Sequence, residues 1–433
     1  MTKKLFAIWI GIFLYVVFSG LFVQKIFLPY IFPQAHWGHG LIVGGDWITF
    51  HKEAVEIANF LRENGFGNVE EAFSKSGQIM SKITGIFYAI TGIYEPWVML
   101  FYNAFLWATA SIVLISLLLR LGFSFRALLL ASLSFIFFPS NLTWNAQIHR
   151  DGLYILGFVS LFYSVVVLFN KKENKDFIKA LFSGVIGIIL IYLARQHMVL
   201  ILKYLFLILI FLLFLVLIFY IVKNRKILYL DKIAIFSLFF LFSAYLTQTK
   251  TQTQTQTTII PWEKEWWVPE KIDNMLYSLS EWRYKFIHEY FKGAVGNIDT
   301  DFVPHRASDY ILYLHRALLI GLFSPFPDVW FSKGGTAGGT LVKYITPFET
   351  IIIWIGVFSF IFAFVRFYKS PSFWIIFILS LIFIYLHVIS EPNLGPIYRK
   401  RYIFLLLLVS ISFASVYEYF IERIKRNENT LNI

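Results

Sequence analysis

Ten stretches of this chain are long and apolar enough to cross about 30 Å of hydrocarbon, a thickness that takes roughly 20 helical residues. They fall near residues 5–28, 96–119, 124–142, 151–170, 177–195, 198–222, 231–247, 348–367, 372–390 and 401–420. Such a chain has little choice of fold. In lipid every backbone N–H and C=O must find a partner inside the protein, and a helix satisfies them within one segment. The expected fold class is an all-α integral membrane protein with about ten transmembrane helices. Composition agrees: 58% of the 433 residues are hydrophobic, 20% aromatic and only 15% charged, far from the soluble mix. The first run is too long for a signal-peptide core and no small-residue cleavage site follows it, so it reads as a retained helix. Cysteine is absent, which excludes a disulfide scaffold, a thiolate nucleophile and a cysteine metal site.

Lysine and arginine in short loops mark the cytoplasmic side. With a cytoplasmic N-terminus, Lys3/Lys4, Arg120/Arg126, Lys171/Lys172/Lys175/Lys179, Lys223/Arg225/Lys226/Lys232, Arg366/Lys369 and Arg423/Lys425/Arg426 all fall inside. The net charge of +12 is thus a topology signal rather than a nucleic-acid one. The expected location is the cytoplasmic membrane, with both termini inside. Three parts follow: a transmembrane module over 1–247 with a first outer loop at 29–95, an outer linker and helical cap over 248–347, and C-terminal membrane helices with a basic tail over 348–433.

Basic residues held on the outer side work against that rule. Arg150, Arg195, Arg306, Arg316, Arg399, Lys400 and Arg401 lie there, and all nine histidines fall outside or at an outer helix end. Snorkelling explains an individual arginine; a set of them invites an anion. The planar guanidinium fork matches phosphate oxygens, and its charge persists at any relevant pH. At a lipid boundary the matching ligand is a phosphate that is itself lipid-anchored, as in a polyprenyl-linked sugar. The stretch "NAQIHRDG" (145–152) supplies His149, Arg150 and Asp151. Arg150 is expected to hold the phosphate with His149 assisting, and Asp151 to orient the arginine, bind a metal, or cap the helix that it opens. Arg195, Arg306, Arg399 and Arg401 join the expected phosphate contacts, with His197 and His305 as auxiliaries.

A second stretch, "GGDWITFHKEAVEIANFLRENG" (44–65), places Asp46 at the start of an amphipathic helix. Two roles stand open for it: a helix cap, or a general base that takes a proton from an acceptor hydroxyl. His51 and Glu53 follow within about two turns as auxiliary candidates.

The order of one membrane helix, an outer loop with "GGDWITFHKEA", an apolar hairpin "SGQIMSKITGIFYAITGIYEPW" and the run "LFYNAFLWATASIVLISLLLRLGFSFRALLLASLSFIFFPSNLTWNAQIHRDGLYILG" resembles the N-terminal half of the GT-C membrane glycosyltransferases. The resemblance covers roughly residues 1–200. It implies an acidic catalytic residue in the first outer loop and a second one after the third membrane helix, places held by Asp46 and Asp151. Many members carry paired acids in the first loop, whereas Trp47 follows Asp46 here, so a divalent metal ion is left open as a cofactor.

The largest outer segment begins with the repeat "TQTKTQTQTQTT", which reads as an extended linker. From Pro269 onward apolar residues recur at helical spacing. Next, Ser308 or Asp309 caps an apolar helix that dips into the outer leaflet, and "SPFPDVWFSKGGTAGGT" (324–340) reads as a mobile loop. The "DTD" at 299–301 lacks the surrounding strands of a nucleotide-sugar site, and no Walker loop or dinucleotide fingerprint is present, so no nucleotide cofactor is expected. The leading expectation is an inverting glycosyltransferase that moves a sugar from a polyprenyl-phosphate donor to a glycan or lipid-linked acceptor on the outer face. A repeat-unit polymerase of the O-antigen or exopolysaccharide kind shares the chemistry. A lipid-linked-oligosaccharide flippase ranks lower, because it should show internal repeats.

Overall fold

The computed structural model describes residues 2–224, 229–248 and 260–431; most of the TQ-repeat linker lies outside the described residues. The chain is an all-α membrane protein, with one short antiparallel pair, His36–Gly38 and Leu41–Ile42, among the described residues. Among the described residues eight helices are long and apolar enough to span a bilayer: Lys3–Ile31, Pro96–Arg120, Asp151–Phe169, Lys175–Ala194, Gln196–Lys223, Ala337–Phe367, Pro371–Ser390 and Tyr402–Ile424. Two of the ten expected spans differ. The run at 124–142 is two helices, Phe125–Phe137 and Pro139–Asn145, bent by 56°. Pro139 takes the first position of the second helix and forces Phe138 into an extended conformation, which breaks the rod. The run at 231–247 forms Leu230–Leu246, 17 residues, reaching about 26 Å at 1.5 Å per residue, short of full hydrocarbon thickness.

Asp151–Phe169 is the central helix, with almost every residue buried. Lys175–Ala194 packs against it where two glycines face each other: a Cβ on Gly187 would come within 2.7 Å of the Gly157 carbonyl. Small residues at one crossing let two backbones approach closely in lipid. The C-terminal helix lies on the other side, where the Tyr402 hydroxyl donates to the Phe135 carbonyl at 2.9 Å.

The ends of the bundle are segregated. At one end Arg120 forms two hydrogen bonds with Asp176, Arg366 pairs with Glu422 at 3.3 Å and lies over the Phe123 ring, and Lys4 lies over Phe125. At the other end sit Asp46, His149, Asp151, Arg195, Glu391 and Arg399. Beyond that end, Trp47–Asn64 and Ile79–Thr91 form a helical hairpin around their own core of Ala54, Ile57, Ala58, Leu61 and Tyr88, so the loop over 29–95 contains a folded unit.

Candidate functional site

The site is built on the loop that joins the bent pair to the central helix, and neutral amides hold this loop. Asn103 donates to the carbonyls of both Asn145 and Gln147 at 2.8 Å. Gln147 accepts from the Ile42 N–H at 2.9 Å and donates to the Gly40 carbonyl, tying the loop to the strand pair. Gln24 reaches the Ala146 carbonyl from a π-helical stretch, Val23–Ile31, at the end of the first span. Each of these three amide side chains is buried, where an unpaired polar group is costly, so the loop has one well-determined shape.

His149 Nδ1 accepts the Asp151 N–H at 3.1 Å. That contact corrects the expected capping role of Asp151: His149 satisfies the first turn, and Asp151 is the first residue of the helix. An imidazole with an accepting Nδ1 is neutral, and burial lowers His149 to about 4, the repulsion from Arg399 adding to it against the attraction of Asp151.

Freed from capping, the Asp151 carboxylate stands between two arginines. Oδ1 accepts from Arg195 Nη2 at 2.8 Å, and Oδ2 lies 2.8 Å from Arg399 Nε in an ion pair that lacks hydrogen-bond alignment. Arg399 continues to Asp46, its Nη2 lying 3.5 Å from Oδ2. The two sequence-predicted acids therefore meet at one guanidinium. Burial works to lower the Arg399 pKa, yet Asp151 and Asp46 hold it above its ordinary value. Arg150 reaches Gln78 Oε1 at 3.4 Å, and burial together with the nearby Arg195 pushes its pKa down. Asp46 stands at the helix start, but its side chain caps nothing and is 56% exposed. That disposes of the cap role and leaves an accessible carboxylate.

The arrangement is short of acceptors. Among the described residues, His149 Nε2, Arg150 Nε, Arg195 Nε and Arg399 Nε are buried without a hydrogen-bond partner, against one such acceptor in the cluster, Asp151 Oδ2, which lies in the misaligned contact with Arg399. Buried polar groups are normally paired. Three guanidinium groups stand against the carboxylates of Asp46 and Asp151, which leaves one positive charge over. Neighbouring groups do not remove it, since Lys400 is already paired with Glu391. Burial lowers Lys400 to about 8, with Arg195 adding to the effect.

The other expected residues lie elsewhere. Arg401 points away from Asp151 and donates to the carbonyls of Ile320, Gly321 and Ser324. Its fork is spent on backbone, because a side chain two positions after Arg399 on a helix faces the opposite way. Arg306 pairs with Asp309 at 3.2 Å and is exposed, and His305 Nδ1 bonds the Pro261 carbonyl. Glu53 accepts from Ser76 and Ser81 and closes the helical hairpin. His51 bonds the Tyr88 hydroxyl at 2.9 Å on the buried side of its helix, where burial lowers its pKa to about 4. His197 is exposed and lines a groove of about 200 Å³ with Tyr192, Gln196, Leu200, Leu246 and Thr247. Among the described residues no group of three His, Asp or Glu side chains could hold a metal ion, and the two acids face an arginine instead. The donor set does not fit a divalent cation.

Several site residues escaped sequence reasoning. Tyr154 lies beneath the Arg195 guanidinium, 5.3 Å from its ring centroid, and its hydroxyl meets His387 Nε2 at 2.8 Å. Its position three residues after Asp151 puts it on the same helix face, a usable signal. The partnership of Gln147 with a strand pair some hundred residues earlier leaves no local trace. The loop expected to be mobile is tied down: Trp330 Nε1 donates to the Pro325 carbonyl, Lys343 Nζ donates to Ser332 and the Lys333 carbonyl, and Thr336 packs against Gly44. No protein-family model, curated protein or solved structure matches the chain.

Proposed function

We propose that the protein is a membrane glycosyltransferase that takes a sugar from a polyprenyl-phosphate donor and passes it to a glycan or lipid-linked acceptor at the outer face of the cytoplasmic membrane. The observation that carries this reading is the partly buried cluster of Arg150, Arg195 and Arg399, one positive charge in surplus, beside the accessible carboxylate of Asp46. A phosphodiester carries one negative charge, which that surplus matches. The GT-C resemblance rests on the motifs around Asp46 and Asp151 and points the same way.

In this reading the unpartnered guanidinium N–H groups hold the donor phosphate. The acceptor hydroxyl attacks the anomeric carbon, the bond from that carbon to the phosphate oxygen breaks, and the electron pair leaves on the phosphate. The departing proton goes to Asp46. Fixed donors aimed at charge that develops on a leaving group are worth most in a water-poor site. Asp151 stays ionised and keeps Arg195 and Arg399 in place, a positioning role. No step is routed through a metal. The arginine-lined end is taken as the outer one because lysines and arginines crowd the short loops of the opposite end.

A second reading, the repeat-unit polymerase, is favoured by the contact of Asp46 with Arg399, which engages the base in an ion pair. One variant separates the two. Asp46→Asn keeps the shape and removes the base, so sugar transfer from a polyprenyl-phosphate donor should fall by about 10²–10⁴-fold for general-base catalysis. Full retained transfer moves the assignment to the polymerase.

A further inference from the structure

The cap contains a short apolar helix, Leu314–Phe323, whose depth can be read from the spans that it touches. A Cβ on Gly321 would collide with Ile384, which lies six residues inside the end of the span Pro371–Ser390, about 9 Å along its axis. On the other side, the indole N–H of Trp354 donates to the Phe323 carbonyl at 2.9 Å. Trp354 stands six residues inside the apolar run 348–367, about 9 Å along its axis. The helix Leu314–Phe323 therefore runs down between two membrane spans and stops part-way. Its returning limb climbs along Ala337–Phe358, with the Trp330 and Trp354 rings 5.6 Å apart, and Thr336 ends beside Gly44, two residues from Asp46.

A helix that ends inside hydrocarbon leaves its last carbonyls without water. Here they are supplied by side chains. Arg401 donates to Ile320 at 2.9 Å, to Gly321 at 2.5 Å and to Ser324, and Trp354 takes Phe323. This arrangement accounts for a fully buried arginine that has no carboxylate partner among the described residues. The face turned away from the spans is open and mostly apolar: Leu314 and Leu319 are exposed, as are Ile311 and Leu312 on the preceding short helix, with His315 among them towards the upper end. Polar groups sit at the upper end, where Arg316 pairs with Asp299.

We infer that Leu314–Phe323 and the turn after it form a re-entrant segment that enters the bilayer, its open face of Ile311, Leu312, Leu314 and Leu319 in contact with lipid acyl chains and its inner end closed by Arg401. The occupant of that face is lipid, because the face continues the open surface of Ala337–Phe358, at Phe348 and Ile355, which is itself a membrane span. The inference does not depend on the sugar-transfer reading. It gives the bilayer and the Asp46 loop a shared wall.

The absence of cysteine from the chain makes the test clean. Nitroxide labels placed by Leu319→Cys and Leu312→Cys in proteoliposomes should collide with oxygen as a label at Ile355→Cys in the span does, and should be shielded from a water-soluble nickel chelate. Glu70→Cys, on the exposed hairpin, gives the aqueous reference. Nickel access at both cap positions equal to that at Glu70→Cys overturns the proposal. So does dipolar broadening between copies, which would mean that a second chain covers the face. If one variant fails to fold, the other still decides.

Discussion

Two aspartates begin membrane helices at opposite ends of this bundle, both almost completely covered, and they are treated differently. Asp176 is saturated: two hydrogen bonds from Arg120, two backbone N–H groups from Lys172 and Glu173, and one from Lys179. Asp151 has two guanidinium groups for partners, one of them misaligned, and stands among buried donors that have no partner. The same residue in the first turn of a helix is fully hydrogen-bonded in one place and stands beside unpartnered donors in the other. Burial and charge pairing are common to both. What separates them is the balance of donors and acceptors around the carboxylate, and in the proposed function that surplus of donors takes an anion.

The contrast breaks most visibly under substitution. Asp151→Asn removes the counter-charge shared by Arg195 and Arg399, and stripping one partner from a buried ion pair costs about 3–5 kcal/mol. Thermal unfolding in detergent should show that loss, with sugar transfer abolished in whatever protein remains folded. Asp176→Asn weakens hydrogen bonds to charged groups worth about 1.5–3 kcal/mol, and transfer per folded molecule should stay at the wild-type level. Equal loss of transfer in both variants would erase the distinction.

A pH effect of similar size is expected at the Asp151 end. His149 titrates at about 4 in the folded chain against an ordinary value of 6.5. Between those values the unfolded state binds the extra proton, so stability is full above about 6.5 and falls as pH drops towards 4, by about 3 kcal/mol in total. His149→Gln should make that part of the stability profile shallower, the buried His51 keeping its own share; an unchanged profile would show that the imidazole is not buried neutral. Arg399→Lys keeps the charge but loses the fork that joins Asp151 to Asp46, so transfer should drop at least tenfold with a smaller loss of melting temperature. At the small end, Arg306→Ala removes an exposed pair with Asp309 and should change neither melting temperature nor transfer.

Length and hydropathy made the spans legible, because crossing a bilayer admits few alternatives. Where the reading faltered, the cause was local. Pro139 bends one run, and the run near 231–247 is a few residues short. Asp46, Arg150, Asp151, Arg195 and Arg399 were legible because ionisable residues at an apolar boundary need a reason. Arg401 carries the same signal as Arg399 and does a different job, since only the packed neighbour reveals that a helix end inside the bundle needs its carbonyls filled. Asp151 and His149 exchanged the capping role for a similar reason: aspartate is the favoured cap by type, but two arginines compete for its carboxylate. The amides of Gln24, Asn103 and Gln147 gave no warning, because a glutamine among apolar residues looks the same whether or not it has a distant carbonyl to meet.

The central claim is that the surplus positive charge around Asp151 receives a lipid-anchored phosphate. The direct measurement is the shift in melting temperature of the purified protein on addition of a short polyprenyl phosphate, with the matching polyprenol as the uncharged control. The account predicts a rise with the phosphate and none with the alcohol, kept in Asp176→Asn and lost in Arg399→Lys. An equal rise with alcohol and phosphate, or a phosphate response that survives in Arg399→Lys, would contradict it.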